Sequence, residues 1–104
     1  MMRLKRQKVA TVHSVIFSKI AAERLIEQAL YIHEQTQNEE LADRYLDDMK
    51  RFIILTLCSF PEAGRPCEEL TQGSRKLVYK GYSIIYQIND KQIEVLTIYR
   101  ENLI

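Results

Sequence analysis

The chain is poor in the residue types that mark the more specialised classes of protein. Its 104 residues include three glycines, two prolines, two cysteines and no tryptophan. So little glycine and proline gives no sign of disorder, and fractions of 46% hydrophobic and 28% charged residues are ordinary for a globular protein. Cys58 and Cys67 are too few for a disulfide scaffold and lack the close spacing of a zinc knuckle. We therefore expect one domain over residues 1–104, with a single modest core and reduced thiols.

The sequence also lacks long apolar runs and clustered metal ligands. No stretch approaches the roughly 20 apolar residues that span a bilayer, and residues 1–8 lack the apolar core of a signal peptide. His13 and His33 lie far apart, one in an apparent strand and the other in an apparent helix. The sequence therefore predicts a cytoplasmic protein with no membrane partner, no metal site and no cofactor.

The net charge is only +1, but the charges are distributed unevenly along the chain. Residues 1–10 form a basic N-terminal arm with four basic residues and no acidic residue, whereas residues 18–61 carry five basic and eight acidic residues. Such an arm either contacts nucleic acid phosphates or is simply solvated, and with four charges we favour solvation. The charge pattern gives no case for general nucleic acid affinity.

The first two thirds of the chain predict a strand followed by two helices. Residues 11–17 alternate as a strand covered on at least one side, and Ser18 is a suitable N-cap for a helix from residue 19 to about 36. Asn38 begins a second amphipathic helix, which Pro61 ends because proline has no amide hydrogen. The short polar connection between the helices predicts an antiparallel helix hairpin.

The last third of the chain has the two-residue period of strands, after one long loop at residues 61–74. Turn residues at Lys80-Gly81 and Asn89-Asp90-Lys91 predict an antiparallel meander of three strands. We expect one face to carry Tyr82, Ile84, Tyr86 and Ile88, then Ile93, Val95, Thr97 and Tyr99. Ile85, Leu96 and Ile98 would form an apolar patch on the opposite face, where a partner could dock. The predicted class is α+β, in the order β-α-α-β-β-β, with the helices on one face of the sheet.

This order resembles the toxins of the RelE/ParE superfamily of bacterial type II toxin–antitoxin systems. The resemblance covers residues 12–100 and lies closer to the ParE-like branch. It is carried by Phe17-Ser18, Ala21, Leu25-Ile26, Pro61 to Gly64-Arg65, Arg75-x-Leu77 and Tyr82-x-Ile84-x-Tyr86. It implies a growth-arresting toxin of the plasmid-stabilisation type that a cognate antitoxin neutralises, alone as a homodimer or within a toxin–antitoxin hetero-oligomer.

Members of the superfamily act by two mechanisms, and the two mechanisms require different residues. ParE-like members inhibit DNA gyrase, whereas RelE-like members cleave messenger RNA on the ribosome, which needs a proton acceptor, a proton donor and several cations. Under the nuclease interpretation the catalytic candidates are Arg75, Tyr99 and Arg100. Ser83 and Leu77 occupy places where the resemblance implies cations, so half of the nuclease set is missing. We therefore favour gyrase inhibition and a protein that is not an enzyme, with ribosome-dependent cleavage as the alternative.

A third interpretation is an attenuated, non-toxic module that only binds the antitoxin, because the last strand has Tyr99 where ParE-like toxins commonly carry a histidine. Each candidate also has a purely structural alternative: bonds to loop carbonyls for Arg65, an ion pair with Glu68 or Glu69 for Arg75, and core packing for the strand tyrosines Tyr82 and Tyr86. The candidates for target or partner binding are Arg65, Arg75, Ile85, Leu96, Ile98, Tyr99 and Arg100.

Overall fold

A computed structural model describes residues 13–101, which form two helices and a five-stranded sheet. The elements in chain order are β1 (Ser14–Phe17), α1 (Lys19–Thr36), α2 (Glu39–Ser59), β2 (Arg65–Pro66), β3 (Ser74–Tyr79), β4 (Tyr82–Asn89) and β5 (Gln92–Arg100). The predicted order and both helix ranges are confirmed. The two-residue strand β2 is an addition, because it lies inside the stretch expected to be a loop. The basic arm and the first two residues of the predicted first strand lie outside the described residues.

Each helix begins at a polar side chain that accepts a hydrogen bond from a free amide. Ser18 Oγ accepts from the Ala21 amide at 3.0 Å, and Asn38 Oδ1 accepts from the Leu41 amide at 2.9 Å. Ser18 Oγ also donates to the Leu96 carbonyl at 2.8 Å. The first cap therefore joins the start of α1 to the last strand of the sheet.

The sheet is mixed, with the strand order β1-β5-β4-β3-β2. Strands β2 to β5 pair antiparallel, while β1 pairs parallel to β5. Tight turns join the meander as predicted: Lys80, Gly81 and Asp90 have φ angles of 46°, 86° and 59°. The helix hairpin connects β1 at one edge of the sheet to β2 at the other edge. The meander then returns across the sheet, so that β5, the last strand, lies beside β1 and parallel to it. The α+β prediction is confirmed.

A β-bulge interrupts the last strand at Leu96. Ile85 pairs with Thr97, but its neighbour Tyr86 pairs with Val95, so Leu96 has no partner on β4. One extra residue reverses the side-chain alternation beyond that point, because successive strand residues face opposite sides of a sheet. The predicted uninterrupted alternation along this strand is therefore wrong after Val95.

The bulge places Ile98 on the side of the sheet that faces the helices, which we call the helix side. Ile98 pairs with Ile84, and both side chains are fully buried in the main core. The prediction that Ile98 shares an apolar patch with Ile85 on the opposite side, here the open face, is wrong. Tyr99 instead lies on the open face, opposite Ser83. Ile85 is only 2% exposed there, so the expected patch is small.

The core lies between the helix hairpin and the helix side of the sheet. Its buried residues are Ala21, Leu25, Met49, Ile53, Leu57, Leu77, Tyr82, Ile84, Tyr86, Ile93, Val95 and Ile98. Cys67 is buried and Cys58 half-buried, and both are free thiols. Neither helix within residues 13–101 has the length and hydropathy required to span a bilayer.

Candidate functional site

The loop after α2 is held against the sheet by the hydroxyl of Tyr86. This hydroxyl donates to the Pro61 carbonyl at 2.6 Å and accepts from the Gly64 amide at 2.9 Å. The Tyr86 side chain is fully buried, and burial raises the pKa of its hydroxyl. The expectation that Tyr86 is a core residue with a satisfied hydroxyl is confirmed.

Arg75 holds the same loop from the neighbouring strand. Its Nε donates to the Gly64 carbonyl at 2.8 Å and its Nη2 donates to the Glu62 carbonyl at 3.3 Å. Within residues 13–101 it makes no ion pair with Glu68 or Glu69, and the Glu69 carboxylate lies instead 3.7 Å from Arg65. Arg75 therefore acts as part of a clamp on residues 62–64.

Gly64 is required by this clamp for steric reasons. A Cβ atom at this residue would lie 2.6 Å from the Lys76 carbonyl oxygen and 3.0 Å from Cε1 of Tyr86. Both distances are shorter than ordinary contacts, and the nearer atom belongs to backbone, which cannot swing away. The Pro-x-x-Gly-Arg pattern that carried much of the resemblance thus has a structural explanation in the loop clamp formed by Pro61, Gly64, Arg75 and Tyr86.

Arg65 follows Gly64 as the first residue of β2 and is not part of the loop clamp. It pairs with Lys76 in the β2–β3 register and lies exposed. Its Nη1 donates to the Pro66 carbonyl at 3.1 Å and lies 3.7 Å from the Glu69 carboxylate. The expected carbonyl contact is confirmed, and a solvent-exposed ion pair accompanies it.

Tyr99 and Arg100 project from opposite sides of the sheet. The Arg100 guanidinium lies 4.1 Å from the ring centroid of Tyr31 on α1, so it is on the helix side. The neighbouring Tyr31 side chain is the main cause that raises the pKa of Arg100. Tyr99 is half-buried on the open face beside Ser83.

The three candidate catalytic residues are therefore not brought together. Arg75 pairs with Tyr86 and Arg100 pairs with Tyr82, so the two arginines lie four residues apart along β4. At about 3.3 Å per residue, the separation along the strand is about 13 Å. Tyr99 lies on the other face. In this arrangement, the three side chains cannot contact the same phosphate group.

The open face instead carries a polar cluster that sequence reasoning missed. Lys76 Nζ lies 3.1 Å from Glu101 Oε2, and Ser83 Oγ donates to Glu101 Oε1 at 3.0 Å. The bonds from Lys76 and then from Ser83 lower the pKa of the Glu101 carboxyl. No linear spacing indicates this cluster, because its three members come from neighbouring strands and meet only through strand pairing.

A tyrosine cluster on the helix side was also missed as a group. The Tyr82 hydroxyl donates to Gln28 Oε1 at 2.8 Å, which confirms its expected role in the core. Its ring lies 6.0 Å from that of Tyr45, between centroids, and tilted by 58°. Burial, followed by the neighbouring Tyr82, raises the pKa of Tyr45 above its usual range.

An apolar cleft of about 600 Å³ lies beside the loop clamp. Phe60, Pro61 and Ile88 line it together with His13 and Glu62. His13 Nδ1 is buried and has no hydrogen-bond partner among residues 13–101. The cleft offers an apolar surface, but no set of polar groups converges in it.

The fold and the loop clamp define a small α+β domain, and comparison with known proteins assigns its family. Residues 15–102 match the family model described as the ParE toxin of the type II toxin–antitoxin system parDE. The chain belongs to this family and is thus a ParE-like toxin of the RelE/ParE superfamily. No curated relative matches the chain by sequence.

Two solved structures show the same fold at low sequence identity. The chromosomal ParDE toxin–antitoxin system from P. aeruginosa is 23% identical, with a TM-score of 0.75 over 88% of this chain and 99% of that chain. The toxin–antitoxin complex RelBE2 from Mycobacterium tuberculosis is 19% identical, with a TM-score of 0.64 over 86% of this chain and 92% of that chain. Both similarities concern the fold.

Proposed function

We propose that this toxin arrests growth by inhibiting DNA gyrase and that a cognate antitoxin neutralises it. The observation that carries the proposal is the dispersal of Arg75, Tyr99 and Arg100, together with the match to the ParE family model. Inhibition by binding needs a surface complementary to the target and requires no assembled catalytic set.

The alternative of messenger RNA cleavage receives less support from the side-chain geometry. Attack by a 2′-hydroxyl needs proton-transfer groups and cations that converge on one phosphate. Arg75 is engaged with the Gly64 and Glu62 carbonyls, and Tyr99 lies on the face of the sheet opposite to both arginines. These contacts support a binding protein over a nuclease.

We propose the open face near the end of β5 as the surface that contacts the target or the antitoxin. Of the predicted binding residues, Arg65, Leu96 and Tyr99 are at least partly exposed and are its best candidates. Ile98 is fully buried on the helix side and Ile85 is nearly buried, so neither offers contact area to this surface. The exposed cation Arg65 and the half-buried side chains of Leu96 and Tyr99 suit a partner that combines a carboxylate with apolar anchors.

An antitoxin partner is proposed from the family and from the printed descriptions of similar structures. These are a ParDE toxin–antitoxin system and a toxin–antitoxin complex, RelBE2. By analogy, we expect this chain to form a hetero-oligomer with a cognate antitoxin in the cytoplasm.

Gyrase-catalysed supercoiling of relaxed plasmid tests the proposed target. We expect the purified chain to inhibit supercoiling and to trap cleaved DNA at near-stoichiometric amounts. Arg65→Gln combined with Tyr99→Ala should raise the amount needed at least tenfold. Arg24→Gln is the matched control, because Arg24 also makes an exposed ion pair, with Glu27, but lies on α1.

Full supercoiling in the presence of folded chain would overturn the gyrase proposal. Primer extension on translating ribosomes then distinguishes the remaining interpretations. Cleaved messenger RNA would establish the RelE-like mechanism. Intact messenger RNA, with normal colony growth when the chain is expressed without an antitoxin, would establish an attenuated binding module.

A further inference from the structure

A second cleft lies on the helix side, where the β3–β4 turn meets the end of β5. Its volume is about 550 Å³, within the range of roughly 300–1,000 Å³ for small-molecule sites. It is lined by two cations, two tyrosines, a glycine and a carboxylate: Lys80, Arg100, Tyr45, Tyr82, Gly81 and Glu101. It lies apart from the loop clamp and shares Glu101 with the polar cluster of the open face.

The two cations of this cleft have no carboxylate partner among residues 13–101. The Arg100 guanidinium lies over Tyr31 at 4.1 Å, and Lys80 Nζ lies 5.4 Å from the ring centroid of Tyr79. Stacking on a ring orients a cation but leaves N–H donors available for an anion. Both side chains belong to exposed residues, so an anion can reach them.

The one carboxylate of the cleft does not neutralise these cations. Glu101 is bonded through one oxygen to Lys76, at 3.1 Å, and through the other to Ser83, at 3.0 Å. Its charge is therefore balanced on the open face. Within residues 13–101, no acidic side chain therefore compensates the positive charges of Lys80 and Arg100, although acidic residues outnumber basic ones in this range.

The aromatic part of the cleft is held in place before any ligand arrives. Tyr82 is 5% exposed and its hydroxyl is bonded to Gln28. The half-buried Tyr45 ring packs against it, which fixes the ring and leaves part of its surface open to the cleft. Gly81 adds room, because a Cβ there would meet no atom within 4 Å.

We propose that this cleft binds a nucleotide, with the phosphate between Lys80 and Arg100 and the base against Tyr45. Paired cations recognise phosphate oxygens through charge-assisted hydrogen bonds, and tyrosine rings stack on any base. A free nucleotide and the end of a single strand present the same chemistry. The inference does not depend on which cellular target the toxin has.

Calorimetric titration of the whole chain tests the proposal with adenosine monophosphate, adenosine, inorganic phosphate, and a twelve-residue oligothymidylate with or without a 5′-phosphate. The monophosphate should bind at least tenfold more tightly than adenosine or phosphate alone. Tighter binding of the phosphorylated oligonucleotide than of the monophosphate indicates a strand end as the ligand, whereas equal or weaker binding indicates a free nucleotide. No binding of either phosphorylated compound at millimolar concentration would overturn the proposal, as would equal binding of monophosphate and phosphate.

Matched variants identify the site. Lys80→Gln and Arg100→Gln should each weaken monophosphate binding about tenfold, because each removes a charged hydrogen bond. Lys91→Gln removes the same charge from the other exposed turn and should have no effect. Because Lys80 lies in an exposed turn, the Lys80→Gln variant should fold, and it tests the site even if the Arg100→Gln variant does not fold. Unchanged affinity in folded Lys80→Gln would contradict the assigned site.

Discussion

Replacing Tyr86 by phenylalanine tests whether the loop clamp stabilises the fold. The change removes one oxygen atom and keeps the buried ring. It eliminates the 2.6 Å bond to the Pro61 carbonyl and the 2.9 Å bond from the Gly64 amide. The amide bond is the more important one, because it is buried and the carbonyl is only partly so.

The expected loss of stability follows from the hydrogen bonds that the Gly64 amide and the Pro61 carbonyl lose. A buried donor left without an acceptor costs about 1–3 kcal/mol, and a partly solvated carbonyl costs less because water can replace the hydroxyl. We expect Tyr86→Phe to lower the free energy of unfolding by about 2–3 kcal/mol. For a chain of this size that is a large share of a total near 5–15 kcal/mol.

Urea denaturation followed by far-ultraviolet circular dichroism measures this free energy. The melting temperature should fall by roughly 10–20 °C. Tyr79→Phe is the matched control: its ring packs on Phe52 at 4.6 Å, and its hydroxyl has no hydrogen-bond partner within residues 13–101. The control should change stability by less than about 0.5 kcal/mol. Equal losses in the two variants would refute the clamp.

Three further predictions concern the loop, the bulge and the ion pair. Gly64→Ala should lower the free energy of unfolding by about 1–3 kcal/mol, because its Cβ meets the Lys76 carbonyl. Ile98→Ala should cost about 2–5 kcal/mol and Leu96→Ala about 1 kcal/mol or less, since only Ile98 is fully buried. Glu101→Gln should be less stable than the parent chain at pH 7, with the difference vanishing as the pH falls below 4.5.

The sign of the last prediction follows from the lowered pKa of Glu101. A carboxyl whose pKa is lower in the folded state adds stability above its ordinary pKa and loses it as the pH falls through the folded value. Urea titrations from pH 3 to pH 7 measure the difference, and a gap independent of pH would contradict it. A tolerated Gly64→Ala would contradict the steric argument. Equal costs at Ile98 and Leu96 would contradict the bulge.

Local sequence signals accounted for most of the elements of this fold. Ser18 and Asn38 were recognisable as caps because a capping side chain bonds an amide three residues away. The helical period and Pro61 then bounded the helices, and the turn at Lys80-Gly81 indicated the hairpin. Such features depend on neighbours within a few residues, so they can be recognised along the chain. The ordered set of elements also sufficed to indicate the toxin superfamily.

The candidate sites depended on contacts that no local signal predicts. The bulge at Leu96 decided that Ile98 enters the core and that Tyr99 and Arg100 face opposite sides. Glu101 meets Lys76, 25 residues away in sequence, only because strand pairing brings them together. The two-residue period of a strand indicates which side chains share a face of the sheet. One extra residue moves all later side chains of the strand to the opposite face. The position of that extra residue is determined by pairing with the neighbouring strand. Tertiary structure alone therefore determined which of the candidate side chains can act together.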